Sequence, residues 1–510
     1  MARNGSSDIE QGKARSSYTS GAEDLKSPDQ NGGQKHHFNL LSCLGMNFSI
    51  TCTPLTIGTY LSLSIGTGGA PFFFYDFIFS GTGQIILCLA LAELASALPH
   101  PSGPAHWAVV LGPKRASRIL GYVLGWLTNA CWYFISAASF LMIAQIMQAM
   151  IAAAEPSYTP QMWHAYLLYS AFIIIAFLAN LPRVYKVVPW FLSGSVFVII
   201  GTALFILISL LARAHPKQTA KAVFVEVVNE TGWDSDVVVF FLSILPGIAA
   251  VGGLDSALHM TEEVAYPSKQ IPQVMIGSAL LSFITGVPSI LIYLFCNTNP
   301  EALLDPVGGQ PLIQLFFDVY RSKALSVVAS VGIIIGFYMS SMAAFTSWNR
   351  LYWSFSRDGG FPFSKFTAKL SSSDNIPINA LYVNTVLLIG LGAVQIGSTT
   401  ALNALLGGAS LCGKSSFGLC IVLLLWRGRD VLDENRWLNL GRYGLVVDIV
   451  AVIWVAWMCI WISFPLYIPV TASSMNYASI IFAGIVFIGT VYYFLGYRCL
   501  GEPIEHQEPK

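Results

Sequence analysis

One basic and one acidic side chain lie inside long apolar runs of this sequence, where an ionised group is costly. Lys414 lies near the middle of the run 399–425, and Asp255 lies within the run 237–262. A charge at the centre of a bilayer costs at least ~2.5–3.5 kcal/mol, so such residues are functional candidates by default. Lys414 could act as a fixed cation, pair with the carboxylate of a bound molecule, carry a proton, or form a structural ion pair. Asp255 could cap free backbone amides, meet an ammonium group, or do both.

Two of the apolar runs are interrupted. Gly252 and Gly253 directly precede Leu254 and Asp255, and a glycine pair lowers the cost of local unwinding. The first run contains Pro54, which removes a backbone donor and clashes with the preceding turn. A packing kink and a close helix contact are the alternative explanation. Breaks in the first and sixth runs are nevertheless typical of inverted-repeat secondary transporters, because unwound backbone in a membrane is tolerated only where it lines a cavity. The breaks predict a substrate site containing Ile50, Thr51, Cys52, Thr53, Pro54, Val251, Gly252, Gly253 and Asp255.

Aromatic and hydroxyl side chains on other runs extend this candidate site. Trp132 could contact an ammonium group through its ring face, although aromatic residues in helix bundles more often serve packing. Ser341 could supply a hydroxyl to a bound molecule or a sodium ion, although hydroxyls often bond to their own helix. Trp132, Ser341 and Lys414 complete the predicted substrate-binding set. The same arguments apply, more weakly, to Tyr133, Phe240, Phe241 and Ser340.

Polar residues near the ends of the runs suggest structural roles. Glu93, four residues before the end of the second run, is expected to gate the inner side or to anchor a loop. Glu262 and Glu263 are expected to pair with basic loop residues. Asn229, in Asn-Glu-Thr, matches the acceptor sequence for N-glycosylation, although such triplets also arise by chance.

Composition places the chain in the membrane class. Of its 510 residues, 55% are hydrophobic and 11% are charged, whereas a soluble domain has about 25% charged residues. The 27 basic residues equal the 27 acidic residues, so no nucleic-acid partner is implied. The histidines are scattered and no zinc-ligand spacing occurs, so neither an enzyme nor a metal or other cofactor is predicted.

A bilayer core requires about 20 apolar residues in a helix. Because backbone groups in lipid must bond within their own segment, runs of this length predict helices. We therefore expect an all-α integral membrane protein with about a dozen transmembrane helices. The runs lie near residues 40–64, 71–97, 118–151, 162–181, 187–211, 237–262, 273–296, 324–348, 378–396, 399–425, 442–464 and 476–496.

The distribution of Lys and Arg predicts that both termini are cytoplasmic. With that orientation, the outside loops carry only a few basic residues and place Asn229 outside the cell. The first residues are polar and are expected to form a disordered tail. The expected organisation is a cytoplasmic tail at 1–38, a transmembrane domain at 39–497 with repeats at about 40–211 and 237–425 and two further helices at 442–496, and a cytoplasmic tail at 498–510.

Several motifs carry a family resemblance. Residues 48–51 (Phe-Ser-Ile-Thr), 92–99 (Ala-Glu-Leu-Ala-Ser-Ala-Leu-Pro) and 252–263 resemble the fungal amino acid/choline permeases of the amino acid–polyamine–organocation superfamily. Further matching segments occur in order, at residues 229–233, 267–272, 349–362 and 401–407.

The resemblance implies a specific fold and activity. It implies two inverted five-helix repeats plus two C-terminal helices, with the substrate at the breaks of helices one and six. It also implies transport of a small amino acid, amine or choline-like compound by alternating access, proton coupling and residence in the plasma membrane. The bound partners would be the lipid bilayer, the small-molecule substrate and protons. The oligomeric state is left open.

Two departures from the family pattern support an alternative substrate. Cys52-Thr53-Pro54 replaces the usual segment after Ser-Ile-Thr, and no glycine lies between Gly45 and Gly58. The resemblance also implies that an uncharged residue is usual at the position of Lys414. A carrier for a specialised secondary metabolite or its precursor is therefore the first alternative. A non-transporting nutrient sensor is the second, although the short tails argue against it.

Overall fold

A computed structural model of the chain describes residues 38–371, 376–394, 401–471 and 475–497. Ten helices in these residues are long and apolar enough to cross a membrane, and shorter apolar helices accompany them. The all-α, multi-pass membrane fold is thereby confirmed. The predicted tails, except for Phe38, lie outside the described residues. Twelve helices, numbered here in chain order, occur at the twelve predicted positions: α1 Leu40–Thr51, α2 Gly69–Ala97, α3 Ser117–Ala154, α4 Met162–Ala179, α5 Val188–Arg213, α6 Leu245–Ala250, α7 Pro267–Phe295, α8 Lys323–Arg357, α9 Ile378–Val394, α10 Ala401–Arg427, α11 Gly444–Ile462 and α12 Ala478–Leu495.

The first predicted helix is broken after twelve residues. α1 ends where Cys52 adopts a left-handed conformation with φ of 43°. A short helix Thr53–Thr56 then starts with Pro54 in its first turn and continues into the 3₁₀ turn Ile57–Tyr60. Proline is tolerated in a first helical turn because no backbone bond is lost there. The break predicted from Pro54 is therefore present, and the unwound residue is Cys52.

The sixth predicted helix is broken more extensively. A short helix Asp236–Leu242 precedes α6, and α6 ends at Ala250. Residues 251–255 are not helical, and Gly253 has φ of 61°. The chain resumes as the 3₁₀ helix Ser256–Glu263. A Cβ atom on Gly253 would lie 2.6 Å from Ile50 Cγ2, so this backbone conformation and this close approach to α1 both require glycine.

The helices pack as expected for a bundle with two related halves. The most extensive contacts join α3 to α8 and to α10, and α2 to α7. Two of these pairs, α3 with α8 and α2 with α7, are the corresponding members of the two predicted five-helix repeats. This pairing is compatible with the predicted repeats, which stay a prediction.

The outer helices present aliphatic and aromatic side chains away from the bundle. Examples are Leu167 on α4, Phe197 on α5, Val386 on α9, Ile453 on α11 and Phe487 on α12, each more than half exposed. Exposed apolar surface of this extent is suited to lipid. The central helices α1, α3 and α8 are instead largely buried within the protein, and they position the candidate site.

Candidate functional site

A cavity of about 120 Å³ lies where the breaks of α1 and α6 face each other. Its wall is formed by residues of α1, α3, the α6 region, α8 and α10 and by residues that directly follow the break in α1. Half of the predicted substrate-binding residues line it: Ile50, Thr51, Gly252, Gly253, Asp255 and Lys414.

Three other predicted residues support the break in α1 from outside the cavity wall. Cys52 is fully buried at the left-handed turn itself. The Thr53 hydroxyl donates a hydrogen bond of 2.5 Å to the Ala250 carbonyl at the end of α6. The Pro54 carbonyl accepts a hydrogen bond of 2.7 Å from the Tyr293 hydroxyl. The two broken helices are therefore tied directly to each other.

The remaining predicted residues also lie behind the wall. Val251 is fully buried in the core. The Ser341 hydroxyl is buried and has no hydrogen-bond partner among the described residues. Its neighbour Ser340 lines the cavity and donates a hydrogen bond of 3.1 Å to the Ile50 carbonyl. The hydroxyl and the carbonyl that could have bound a sodium ion are thus bonded to each other.

Asp255 is buried but its carboxylate reaches the cavity. Its Oδ2 accepts a hydrogen bond of 3.2 Å from Trp132 Nε1 and lies 3.2 Å from His259 Nε2. The expected capping of free amides is wrong in this structure, because Asp255 makes no side-chain cap bond. The carboxylate is held by side chains instead, with its position fixed by α3 and by the segment after the break.

Asn47 performs the role that the sequence had suggested for Asp255. Its Oδ1 accepts a hydrogen bond of 3.0 Å from the Ala257 amide and a second bond from the Ser256 hydroxyl. Its Nδ2 donates to the Leu254 carbonyl at 3.3 Å and to Ser278 Oγ on α7 at 2.8 Å. One amide side chain therefore satisfies the unwound backbone after the break. The sequence signal for Asn47 is a polar residue in the middle of an apolar run, which indicates the break but not the partners of this side chain.

Lys414 extends from α10 into the cavity. Its Nζ donates a hydrogen bond of 3.1 Å to Gln84 Oε1 and lies 5.7 Å from the centre of the Phe417 ring. Gln84 in turn donates to the Ile248 carbonyl near the end of α6 at 3.4 Å. Among the described residues Lys414 forms no ion pair within 4.0 Å, so the predicted structural pair is not observed. The ammonium retains donors for a ligand.

The other candidate aromatic residues do not form a box around the cavity. The Trp132 ring packs edge-on against His259, behind Asp255. The Tyr133 hydroxyl donates to the Leu387 carbonyl at 3.0 Å. Phe240 and Phe241 instead pack in a cluster that includes Trp457. Of the four, only Trp132 contacts a charged residue of the cavity wall.

Glu93 anchors a loop. It accepts hydrogen bonds from Arg429 at 2.5 Å, from Arg436 at 2.7 Å and from the Leu440 amide at 3.0 Å. These partners belong to the segment between α10 and α11. Burial opposes the charge of Arg429, but its hydrogen bond to Glu93 and the charge of Asp448 raise the pKa of its guanidinium. Of the two predicted roles, this geometry favours loop anchoring over gating.

The two glutamates after the sixth break pair with arginines. Glu262 bonds to Arg357 at 2.8 Å and Glu263 to Arg350 at 2.5 Å. We expected loop residues, but both arginines lie on the last turns of α8, which extends further than its apolar run. The segment after the break is therefore fastened to α8.

Asn229 lies in the segment that precedes the sixth predicted helix. Its side-chain nitrogen donates to the Trp233 carbonyl at 2.8 Å, and its Oδ1 accepts from the Thr231 hydroxyl at 2.7 Å. Thr231 is buried. Glycosylation of Asn229 stays a prediction, and it would require this local arrangement to open.

Comparison with known proteins adds the family context. The amino acid permease family model matches residues 38–487. The chain is 28% identical to a choline transporter of Saccharomyces cerevisiae, with 87% of this chain and 78% of that protein aligned. It is 26% identical to a swainsonine transporter of Arthroderma benhamiae, with 90% of each chain aligned. It is 25% identical to the amino-acid permease BAT1 of Arabidopsis thaliana, with 88% of this chain and 89% of that protein aligned.

Proposed function

This chain belongs to the amino acid permease family and is a membrane transporter of small compounds, and we propose that it is a proton-coupled secondary transporter that works by alternating access. The proposed substrate is a small amino acid, amine or choline-like compound. It binds in the cavity between the breaks of α1 and α6, in contact with Asp255 and Lys414.

One observation carries this proposal: the cavity wall holds a carboxylate and an ammonium that do not neutralise each other through a direct pair. Asp255 can receive a substrate ammonium, and Lys414 can receive a substrate carboxylate. Thr51, at the end of α1, and Gly252, in the unwound segment, line the same cavity. Buried charges of this kind are retained in membranes where they serve a pathway for ions or solutes.

The driving force and the orientation are also part of the proposal. The fungal permeases that the sequence resembles imply protons as the coupling ion. The Ser340 hydroxyl already bonds to Ile50, which gives no support to a sodium site there. The basic residues favour cytoplasmic termini, and the family resemblance favours the plasma membrane.

A carrier for a specialised metabolite is the second candidate. It is favoured by Lys414 and by Cys52 at the first break, where the family pattern differs. The similarity to a swainsonine transporter supports it further. Such a substrate would still carry an amino group for Asp255.

Uptake into cells that lack their own permeases tests the substrate class. The panel is labelled γ-aminobutyrate, choline, and basic and neutral amino acids, each supplied at external pH of about 5 and about 7. We expect uptake of one compound, faster at the lower pH and abolished by Asp255→Asn. Lys221→Ala, which changes an exposed lysine paired with Glu226, is the control and should retain uptake. If correctly localised wild type takes up none of the panel, the amino acid/choline assignment fails and the metabolite carrier becomes the better candidate.

A further inference from the structure

Both ring nitrogens of His259 lie against oxygen acceptors. His259 is buried, and its Nδ1 lies 2.8 Å from the Pro101 carbonyl oxygen. A carbonyl oxygen only accepts, so Nδ1 must carry a hydrogen. The other ring nitrogen, Nε2, lies 3.2 Å from Asp255 Oδ2. In a neutral imidazole with its hydrogen on Nδ1, the lone pair of Nε2 would face the negatively charged carboxylate, which is a repulsive contact.

One additional proton resolves this contact. It can reside on Nε2, giving an imidazolium beside a carboxylate, or on Oδ2, giving a carboxylic acid that donates to a neutral ring. Trp132 Nε1 donates to the same Oδ2, which leaves that oxygen able to take part in either arrangement. In both arrangements the pair holds one proton more than a neutral histidine beside an ionised aspartate.

We propose that the His259–Asp255 pair is the proton-binding site of this transporter, an inference that rests on the proposed function and names where its coupling ion binds. Asp255 lines the cavity and His259 lies behind it, so a proton can reach the pair through the space that the substrate also uses. The pair also adjoins the unwound segment at Gly253. Protonation therefore acts on the part of the helix that must move.

The charges around the pair determine how a bound proton changes the net charge of the cavity. Lys414 on α10 and the neutral Cys131 thiol on α3 line the same cavity as Asp255. Glu262 and Glu263 on the same segment as His259 are occupied by Arg357 and Arg350. The neutral Trp132 ring and the Pro101 carbonyl also contact the pair.

A preference for substrates with a carboxylate follows from this charge count. With the proton bound, the His259–Asp255 pair is neutral and Lys414 adds one positive charge. Without the proton, the negative charge of Asp255 and the positive charge of Lys414 cancel. The protonated cavity therefore attracts a carboxylate and repels a permanent cation, because like charges in a poorly solvated site are costly. The inference thus narrows the proposed substrate class to carboxylate-bearing compounds such as amino acids, with which one proton moves, because a cation such as choline competes with the proton.

The first test does not require a known substrate. The thermal unfolding temperature of the detergent-solubilised protein is measured between pH of about 5 and about 7 for wild type, His259→Gln and Asp255→Asn. Gln keeps an amide donor toward Asp255 at every pH, so part of the pH dependence of wild type should disappear in both variants. His215→Gln, at an exposed loop histidine, is the matched control and should keep the wild-type profile. Profiles of both site variants that parallel wild type would overturn the proposal.

The second test measures coupling with whichever panel compound wild type transports. The ratio of initial uptake rates at the two pH values should fall to about 1 in His259→Gln, and His215→Gln should retain the wild-type ratio. An unchanged ratio in His259→Gln would overturn the proposed proton site. If wild type transports none of the panel, the proposed substrate class fails, while the unfolding profiles still decide whether the pair binds a proton.

Discussion

At the scale of single residues, the cavity is built by polar side chains that each hold one unwound segment or one charge in place. Gln84 orients Lys414 and bonds to the end of α6. Asn47 satisfies the backbone after the second break. Trp132 fixes Asp255. Loss of any of these neutral residues should disturb the charge or the backbone that it supports.

Replacing Gln84 by Met should weaken substrate binding. Met has nearly the same length but no strong acceptor, so the Lys414 ammonium loses its one observed hydrogen-bond partner, at a cost of about 1–3 kcal/mol. The KM of uptake should rise by about tenfold, since each 1.4 kcal/mol corresponds to that factor. Gln314→Met, at a glutamine that bonds to Asp318, serves as the control. A Gln84 variant with wild-type KM would show that Lys414 needs no orientation for binding.

Replacing Asn47 by Leu should destabilise the folded protein. The Ala257 amide and the Leu254 carbonyl would lose their bonds to Asn47 in a buried site, which costs about 1–3 kcal/mol for each unsatisfied group. The unfolding temperature in detergent should fall clearly, whereas Asn299→Leu in an exposed loop should leave it nearly unchanged. Equal unfolding temperatures for the two variants would contradict the role assigned to Asn47.

At the scale of the elements, the two breaks are held against each other by close contact and by hydrogen bonds. The Thr53 hydroxyl bonds to Ala250, and Gly253 lies against Ile50. The segment after the second break is fastened to α8 through Glu262 and Glu263. A displacement of one broken helix should therefore displace the other.

Gly253→Ala should reduce transport by more than backbone strain alone would produce. Alanine at a left-handed position costs about 1–2 kcal/mol, and its Cβ would in addition lie 2.6 Å from Ile50 Cγ2. Gly441→Ala has the same kind of backbone strain, with φ of 53°, but open space around it. Uptake and unfolding temperature should therefore be affected much more at Gly253. Equal effects at the two glycines would mean that close packing between the breaks is unimportant.

The elements also show which features are predictable from sequence. The length of the apolar runs predicts the membrane helices, because lipid requires each segment to satisfy its own backbone. Gly252 and Gly253 predict the second break because a glycine pair lowers the cost of unwinding, whichever residues pack against it. Pro54 indicates the first break but not the residue that unwinds, Cys52. The contacts of Asn47 with Leu254 and of His259 with Pro101 join residues more than 150 positions apart, and no local pattern specifies such partners.

At the scale of the whole molecule, ion pairs and loops connect parts of the bundle away from the cavity. Glu93 on α2 holds Arg429 and Arg436 from the segment between α10 and α11. This cluster ties one predicted repeat to the end of the other. It therefore contributes to the stability of the assembled bundle and lies apart from the cavity wall.

Glu93→Gln should lower stability without changing substrate affinity. Removing one partner of a buried ion pair leaves an uncompensated charge and costs about 3–5 kcal/mol. The yield of folded protein and its unfolding temperature should fall, while the KM of the remaining protein stays at the wild-type value. Glu301→Gln, in an exposed segment, is the control. A changed KM with unchanged stability would instead support a gating role for Glu93.

Counterflow in proteoliposomes that contain only this protein tests the central claim most directly. Vesicles loaded with one unlabelled panel compound should take up its labelled form through wild type and through Lys221→Ala. Asp255→Asn and Lys414→Met should each abolish or strongly reduce this exchange, because each removes one charge from the cavity wall. Exchange that is equally fast in both cavity variants would contradict the account, since the solute would then cross the protein without using this site.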